Sequence, residues 1–131
     1  MPVMKNGYHD KALTKCLYLK HAMAYGYREA MILFHFIHFI NLNRKKEKHY
    51  HKGLYWTYSS VQTLHDSYFP FFSTGQIKRS IDLLVSQDVV LKDNFNKMKY
   101  DRTKWYALKD ENGLIEMAQP FIEDDRWSEI T

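Results

Sequence analysis

Few residues in this chain have the type and spacing to do chemistry, and most of those are histidines. His35 and His38 stand three apart, and His49 and His51 flank Tyr50. Two imidazoles three apart on a helix share a face, as a shared metal ion would need. Neither pair has a carboxylate at ligand spacing, so core histidines and a solvated loop are expected instead, with no metal. The single cysteine, Cys16, excludes an intramolecular disulfide and a Cys-based zinc site. It falls in an apolar helical pattern and reads as core rather than nucleophile. Asp124 and Asp125 are adjacent in the acidic tail segment, a poor geometry for two-metal nuclease chemistry. No glycine-rich phosphate loop and no nucleophile elbow occur. The expectation is a protein that is not an enzyme and carries no cofactor.

Charge points to binding. Residues 1–109 hold 14 Lys and 4 Arg against 8 acids, or +10, whereas residues 110–131 hold Arg126 against 7 acids, or −6. A basic body with an acidic tail fits a polyanionic partner, with the tail as a built-in competitor. The basic residues also cluster. Lys78 and Arg79 follow a capped helix start, and Lys97, Lys99, Arg102 and Lys104 crowd one short stretch together with Asn94, Asn96 and Tyr100, which can donate to phosphate. Lys45, Lys46, Lys48 and Lys52 extend the basic surface.

The elements that must position these residues follow from periodicity. At 131 residues, 45% apolar and 16% aromatic, the chain suits one globular domain. Five Gly and three Pro argue for helices and a few strands rather than a many-turned sandwich. The spacing predicts a helix over 10–25 and a second over 28–43, apolar almost all round and therefore buried. The longest apolar run, Met31 to Leu42, is interrupted by His35, His38 and Asn41, and a membrane span needs about 20 residues. With no apolar signal core at Met1–Lys5, a soluble, reduced, cytoplasmic protein is expected.

Residues 43–53 read as a polar loop, and 54–58 as an aromatic strand. Ser59 with Gln62 fits a capping box for a short helix that Pro70 ends, and Ser73 with Gln76 fits another for a helix to about Gln87. Ile77, Ile81, Leu84 and Val85 define the core face of that helix, opposite Arg79 and Asp82. A hairpin follows, from Val89 to Leu108, with its tip at 94–101. Alternation sets Trp105 and Ala107 on one face and Lys104 and Tyr106 on the other, with Trp105 as the core residue. Leu114, Ile115, Met117 and Ala118 allow one apolar stripe in the acidic tail.

Helix, strand, short helix, tight turn, capped helix and hairpin is the order of a winged helix-turn-helix: mainly α with a small β-hairpin wing, here with additional N-terminal helices. Its third helix fits a DNA major groove while the wing lies beside it. The domain spans 1–109 and the acidic tail 110–131. Thr74, Gln76, Lys78 and Arg79 are the expected groove contacts, with Gln76 suited to adenine and Arg79 to guanine. Lys97, Lys99, Arg102 and Lys104 serve phosphates from the wing.

The same residues carry a resemblance. Phe69-Pro70-Phe71-Phe72-Ser73, then Ile77-Lys78-Arg79, Phe95-Asn96-Lys97 and Asp101-Arg102-Thr103-Lys104-Trp105-Tyr106 resemble the N-terminal winged-helix domain of phage and plasmid replication proteins. Trp56-Thr57-Tyr58 and Gly26-Tyr27-Arg28-Glu29-Ala30 extend the match over about residues 22 to 108. Phe72 stands where the family commonly has Trp, and Phe36-Ile37-His38-Phe39 departs from its usual helix. The resemblance implies a DNA-binding module of mobile-element type, and the expectation is a double-stranded DNA-binding protein of a phage or plasmid, acting in replication initiation or transcription control. The competing expectation is a winged-helix protein adaptor or inhibitor of a host enzyme. A two-fold dimer is common for such DNA readers, and the N-terminal helices could supply its interface.

Overall fold

A helix that is apolar on every side has to lie inside the molecule, and helix α1 (Tyr27–Lys46) does: ten consecutive residues from Glu29 to His38 are buried. In this computed structural model, residues 26–101 and 103–122 are described, the last four of them as backbone only. The expected helix over 10–25, Arg102 and residues 123–131 lie outside the described residues. Helix α1 opens at Gly26, whose φ of 98° is costly for any residue with a side chain. A Cβ there would also sit 2.6 Å from Glu29 Oε1. The helix runs three residues beyond the expected end, with Arg44, Lys45 and Lys46 in its last turn. Cations there complement the helix dipole, so the basic run that reads as loop is partly helix.

The rest of that expected loop is a small hairpin. Strands β1 (Tyr50–His51) and β2 (Leu54–Tyr55) pair antiparallel across Lys52 and Gly53, whose φ values of 52° and 81° suit a two-residue turn. The expected single strand over 54–58 is broken at Trp56. Its N–H donates to His49 O (3.0 Å) and its carbonyl accepts from Asn43 Nδ2 (2.7 Å), so its backbone leaves the sheet. Strand β3 (Thr57–Ser59) resumes beyond it.

Helix α2 (Val61–Ser67) is capped by Ser60, which accepts from the Thr63 N–H, and not by Ser59. Ser59 is consumed as the last residue of β3, opposite Lys104, so the cap falls one residue later. The turn at Phe69–Phe72 sends Phe69 and Phe72 inward and leaves Phe71 exposed. Helix α3 (Thr74–Ser86) has the expected capping box, with Ser73 Oγ accepting from the Gln76 N–H (3.1 Å) and Gln76 Oε1 from the Ser73 N–H (2.9 Å). Its buried face is Ile77, Ser80, Ile81 and Leu84. Ser80 donates to Glu29 Oε2 (2.5 Å) and accepts from Arg28 Nε (2.6 Å), tying α3 to the start of α1.

Strands β4 (Val90–Asp93) and β5 (Lys104–Leu108) complete a three-stranded antiparallel sheet of order β3-β5-β4. Successive residues of β5 face opposite ways, and both faces are covered. Tyr106 and Leu108 join the main core with the helices, Tyr106 stacked on Phe36 at 4.8 Å. Trp105 and Ala107 form a smaller cluster with Trp56 on the other face. The main core therefore takes Tyr106, not Trp105 as expected, because the helices pack on Tyr106's side of the sheet.

Helix α4 (Glu111–Ile122) begins where the acidic tail was expected. Leu114, Ile115 and Ala118 are buried in the main core. Glu111 accepts from the Tyr55 N–H at 2.8 Å and lies 3.6 Å from Arg44. The chain past 109 thus belongs, at least to Ala118, to the same packed unit. Among the described residues the fold is four α-helices with two small antiparallel sheets, and no helix is long and apolar enough to cross a membrane.

Candidate functional site

The capping box that starts α3 also sets which of its side chains point outward. With Ile77, Ile81 and Leu84 packed inward, Thr74, Lys78, Arg79 and Asp82 are left exposed at about 100° per residue. Arg79 lies back along the helix, its Nη1 3.5 Å from the space a Cβ on Gly75 would fill. Lys78 pairs with Asp82 at 3.2 Å, one turn on. Gln76 differs from expectation. It is half-buried and its amide oxygen is held by the Ser73 N–H, which leaves only its NH2 group for a partner. A bidentate adenine contact needs that oxygen as well, so the cap and the reading role compete.

Lys78 is not isolated. The side of α3 that carries it meets the sheet in a cleft of about 240 Å³, lined also by Lys92 of β4, Lys104 of β5, and Ser59 and Ser60 ahead of α2. Lys92 and Ser59 both neighbour β5, opposite Tyr106 and Lys104 respectively, so the sheet register brings them together. Tyr106 and Asp82 also line the cleft. Burial, and then the Asp82 carboxylate, push the Tyr106 phenol up to about 12, so it stays neutral. Three lysines against one aspartate make the cleft basic, as an anion such as a phosphate requires. Lys92 has no place among the residues that the sequence singles out. Its signal was available in the alternation of Val90, Leu91 and Lys92, but only once β4 is paired with β5.

The hairpin tip presents Lys97 and Lys99, both exposed. The tip is braced by Asn96, whose Nδ2 donates to Asp101 O (2.9 Å) and Thr103 O (2.7 Å) and whose Oδ1 accepts from Trp105 Nε1 (2.7 Å). Asn96, expected to donate to phosphate, has its amide spent on shaping the tip instead. Tyr100 remains exposed there. Of the other basic residues, Lys45, Lys46 and Lys48 are exposed, and Lys52 pairs with Asp93 at 2.7 Å.

Neither histidine of α1 lines the lysine cleft. His38 is buried in α1, and burial, then Lys45, lower its pKa to about 4. His35 packs among Phe39, Tyr68 and Phe69 with ring centroids 4.4–5.5 Å away. Among the described residues no three His, Cys, Asp or Glu side chains converge as ligands of one metal ion. Compared with protein-family models, with curated proteins and with solved structures, the chain finds no match, so its function has to be argued from this geometry.

Proposed function

We propose that residues 26–122 form a winged helix-turn-helix that binds double-stranded DNA, with α2 and α3 as the helix pair and the β4–β5 hairpin as the wing. The observation that carries this reading is the convergence of Lys78, Lys92 and Lys104, from one helix and two strands, on one cleft beside the exposed side of α3. Helix and wing then grip the same stretch of backbone, with phosphates at the lysines and Thr74 and Arg79 turned to the base edges. Further support comes from the strand order β3-β5-β4 and from the short turn that sets α3 against α2, the arrangement in which a second helix enters a major groove. The task of such a module is binding rather than catalysis. By the motif resemblance it acts in replication initiation or transcription control of a phage or plasmid.

The test is a gel-shift on random duplex across a salt series. The chain should bind with a steep salt slope, and Lys92→Ala and Lys104→Ala should each flatten that slope by roughly one unit. On a selected site, Arg79→Ala should cost about 1–3 kcal/mol and relax preference for one base pair. Weak binding without salt dependence, unchanged in all three variants, would remove the DNA reading and leave the protein-adaptor reading in its place.

A further inference from the structure

The sheet face away from the helices is only partly covered: beside the Trp56, Trp105 and Ala107 cluster it leaves a groove. Trp105 and Tyr106 are consecutive in β5 and face opposite ways, so the surface around Trp105 lies across the sheet from the lysine cleft. Tyr58 is directly opposite Trp105 in the β3–β5 register, with ring centroids 4.6 Å apart. His49 meets both rings edge-on at 5.3 Å, and His51 stacks on Phe95 at 4.3 Å and 10°. These rings line a groove of about 490 Å³ that opens past the hairpin tip at Lys97 and Met98. That volume lies within the roughly 300–1,000 Å³ of small-ligand sites. A purely structural cluster would close over its rings, yet Tyr58 is 50% exposed while Trp105 beneath it is 8% exposed.

Charge decides what the rings can take. An aromatic cage for a cation is not expected where lysines line the approach. Here Lys97 lines the groove and Lys48 precedes His49, while Lys52, 5.5 Å from the Phe95 ring centre, is paired with Asp93. The acid lining the groove, Asp101, accepts from the Thr103 N–H at 3.0 Å, and against its one negative charge Lys97 and Lys48 leave the approach basic by one charge. Burial, then His51 and Lys48, lower the pKa of His49, so its ring is neutral at neutral pH. Flat rings beside lysines suit a flat ring carried on an anionic backbone, and every base offers such a face.

We propose that this outer face of the sheet is a groove for single-stranded DNA, where unpaired bases stack on Tyr58 and its neighbouring rings and phosphates meet Lys97. The groove's rings lie on the opposite side of the sheet from the lysine cleft, and the two surfaces share only the hairpin tip at Lys97. A protein with both would hold a duplex and an adjacent unpaired strand together.

The experiment is fluorescence anisotropy of the full chain with labelled oligo-dT at low salt. Wild type should bind it, and Tyr58→Ala should weaken binding by about ten-fold or more, the scale of one lost base stack. Tyr58→Phe keeps the ring and should stay within about two-fold of wild type. An abasic strand of the same length should bind about ten-fold more weakly than oligo-dT. Duplex binding by Tyr58→Ala should be unchanged. The proposal is overturned if wild type does not bind oligo-dT, or if Tyr58→Ala binds it like wild type. It is also overturned if the abasic strand binds as well as oligo-dT, since phosphates alone would then suffice, or if dTMP displaces the strand at equal nucleotide concentration. Wild type that binds oligo-dT but no duplex would instead count against the duplex reading alone.

Discussion

Acidification should destabilise this domain chiefly through one side chain, His38. The residue is 2% exposed on α1, and burial, reinforced by Lys45, holds its pKa at about 4 against an ordinary 6.5. The unfolded chain therefore takes up the proton first. Stability is full above about pH 6.5 and falls as pH drops toward the folded value of about 4. At about 1.36 kcal/mol per pKa unit the whole shift is worth on the order of 3 kcal/mol. A step from about pH 7.5 to about pH 5 covers about 2 kcal/mol of it. That is a large part of the roughly 5–15 kcal/mol that holds a domain folded. His49 shifts in the same direction but is only half-buried, so water screens its share. Asp66 and Asp93 have lowered pKa values too, but they lose their contribution only below the ordinary carboxylate range, outside this window. Urea melts at the two pH values measure the difference directly. His38→Leu removes the titrating group while keeping an apolar side chain in the site, so it should lose about 2 kcal/mol less than wild type on acidification. The quantity compared is the pH dependence, which a general loss of packing would leave intact. If His38→Leu loses as much stability as wild type between the two pH values, the buried neutral imidazole is not the acid-sensitive element.

Two further expectations concern the frame that holds α3. Gly26→Ala sets a Cβ against Glu29 Oε1 at a φ of 98°, and should cost about 1–3 kcal/mol in a thermal or urea melt; an unchanged midpoint would mean that the helix start relaxes freely. Leu114→Ala opens the core beneath α4, where Leu114 is 5% exposed, and should cost about 2–5 kcal/mol; stability within about 0.5 kcal/mol of wild type would return this segment to the status of an appended tail.

Periodicity and caps are local properties, and what depends on them was legible without the fold. The buried character of α1 follows from nine apolar side chains spread round a helix. The start of α3 follows from Ser73 and Gln76, because both capping bonds are made within four residues. The exposed positions of Lys78 and Arg79 then follow from the spacing of Ile77, Ile81 and Leu84. Choices between competing local options were made by distant partners. Whether Ser59 or Ser60 caps α2 depended on Ser59 pairing with Lys104, 45 residues away. Which face of β5 met the helices depended on where α1 lay, since both Trp105 and Tyr106 are large aromatics. The acidic stretch became helix α4 because Glu111 reaches Tyr55 and Arg44 and because Leu114, Ile115 and Ala118 find the core. Lys92 joined Lys78 and Lys104 only through the β4–β5 register, and Tyr58 met Trp105 only through the β3–β5 register. A single strand's pattern says which residues share a face, but not which strand lies alongside it or what covers that face. Both proposed binding surfaces are made of such cross-strand neighbours, so their charges and rings are written in the sequence while their juxtaposition is a property of the tertiary structure.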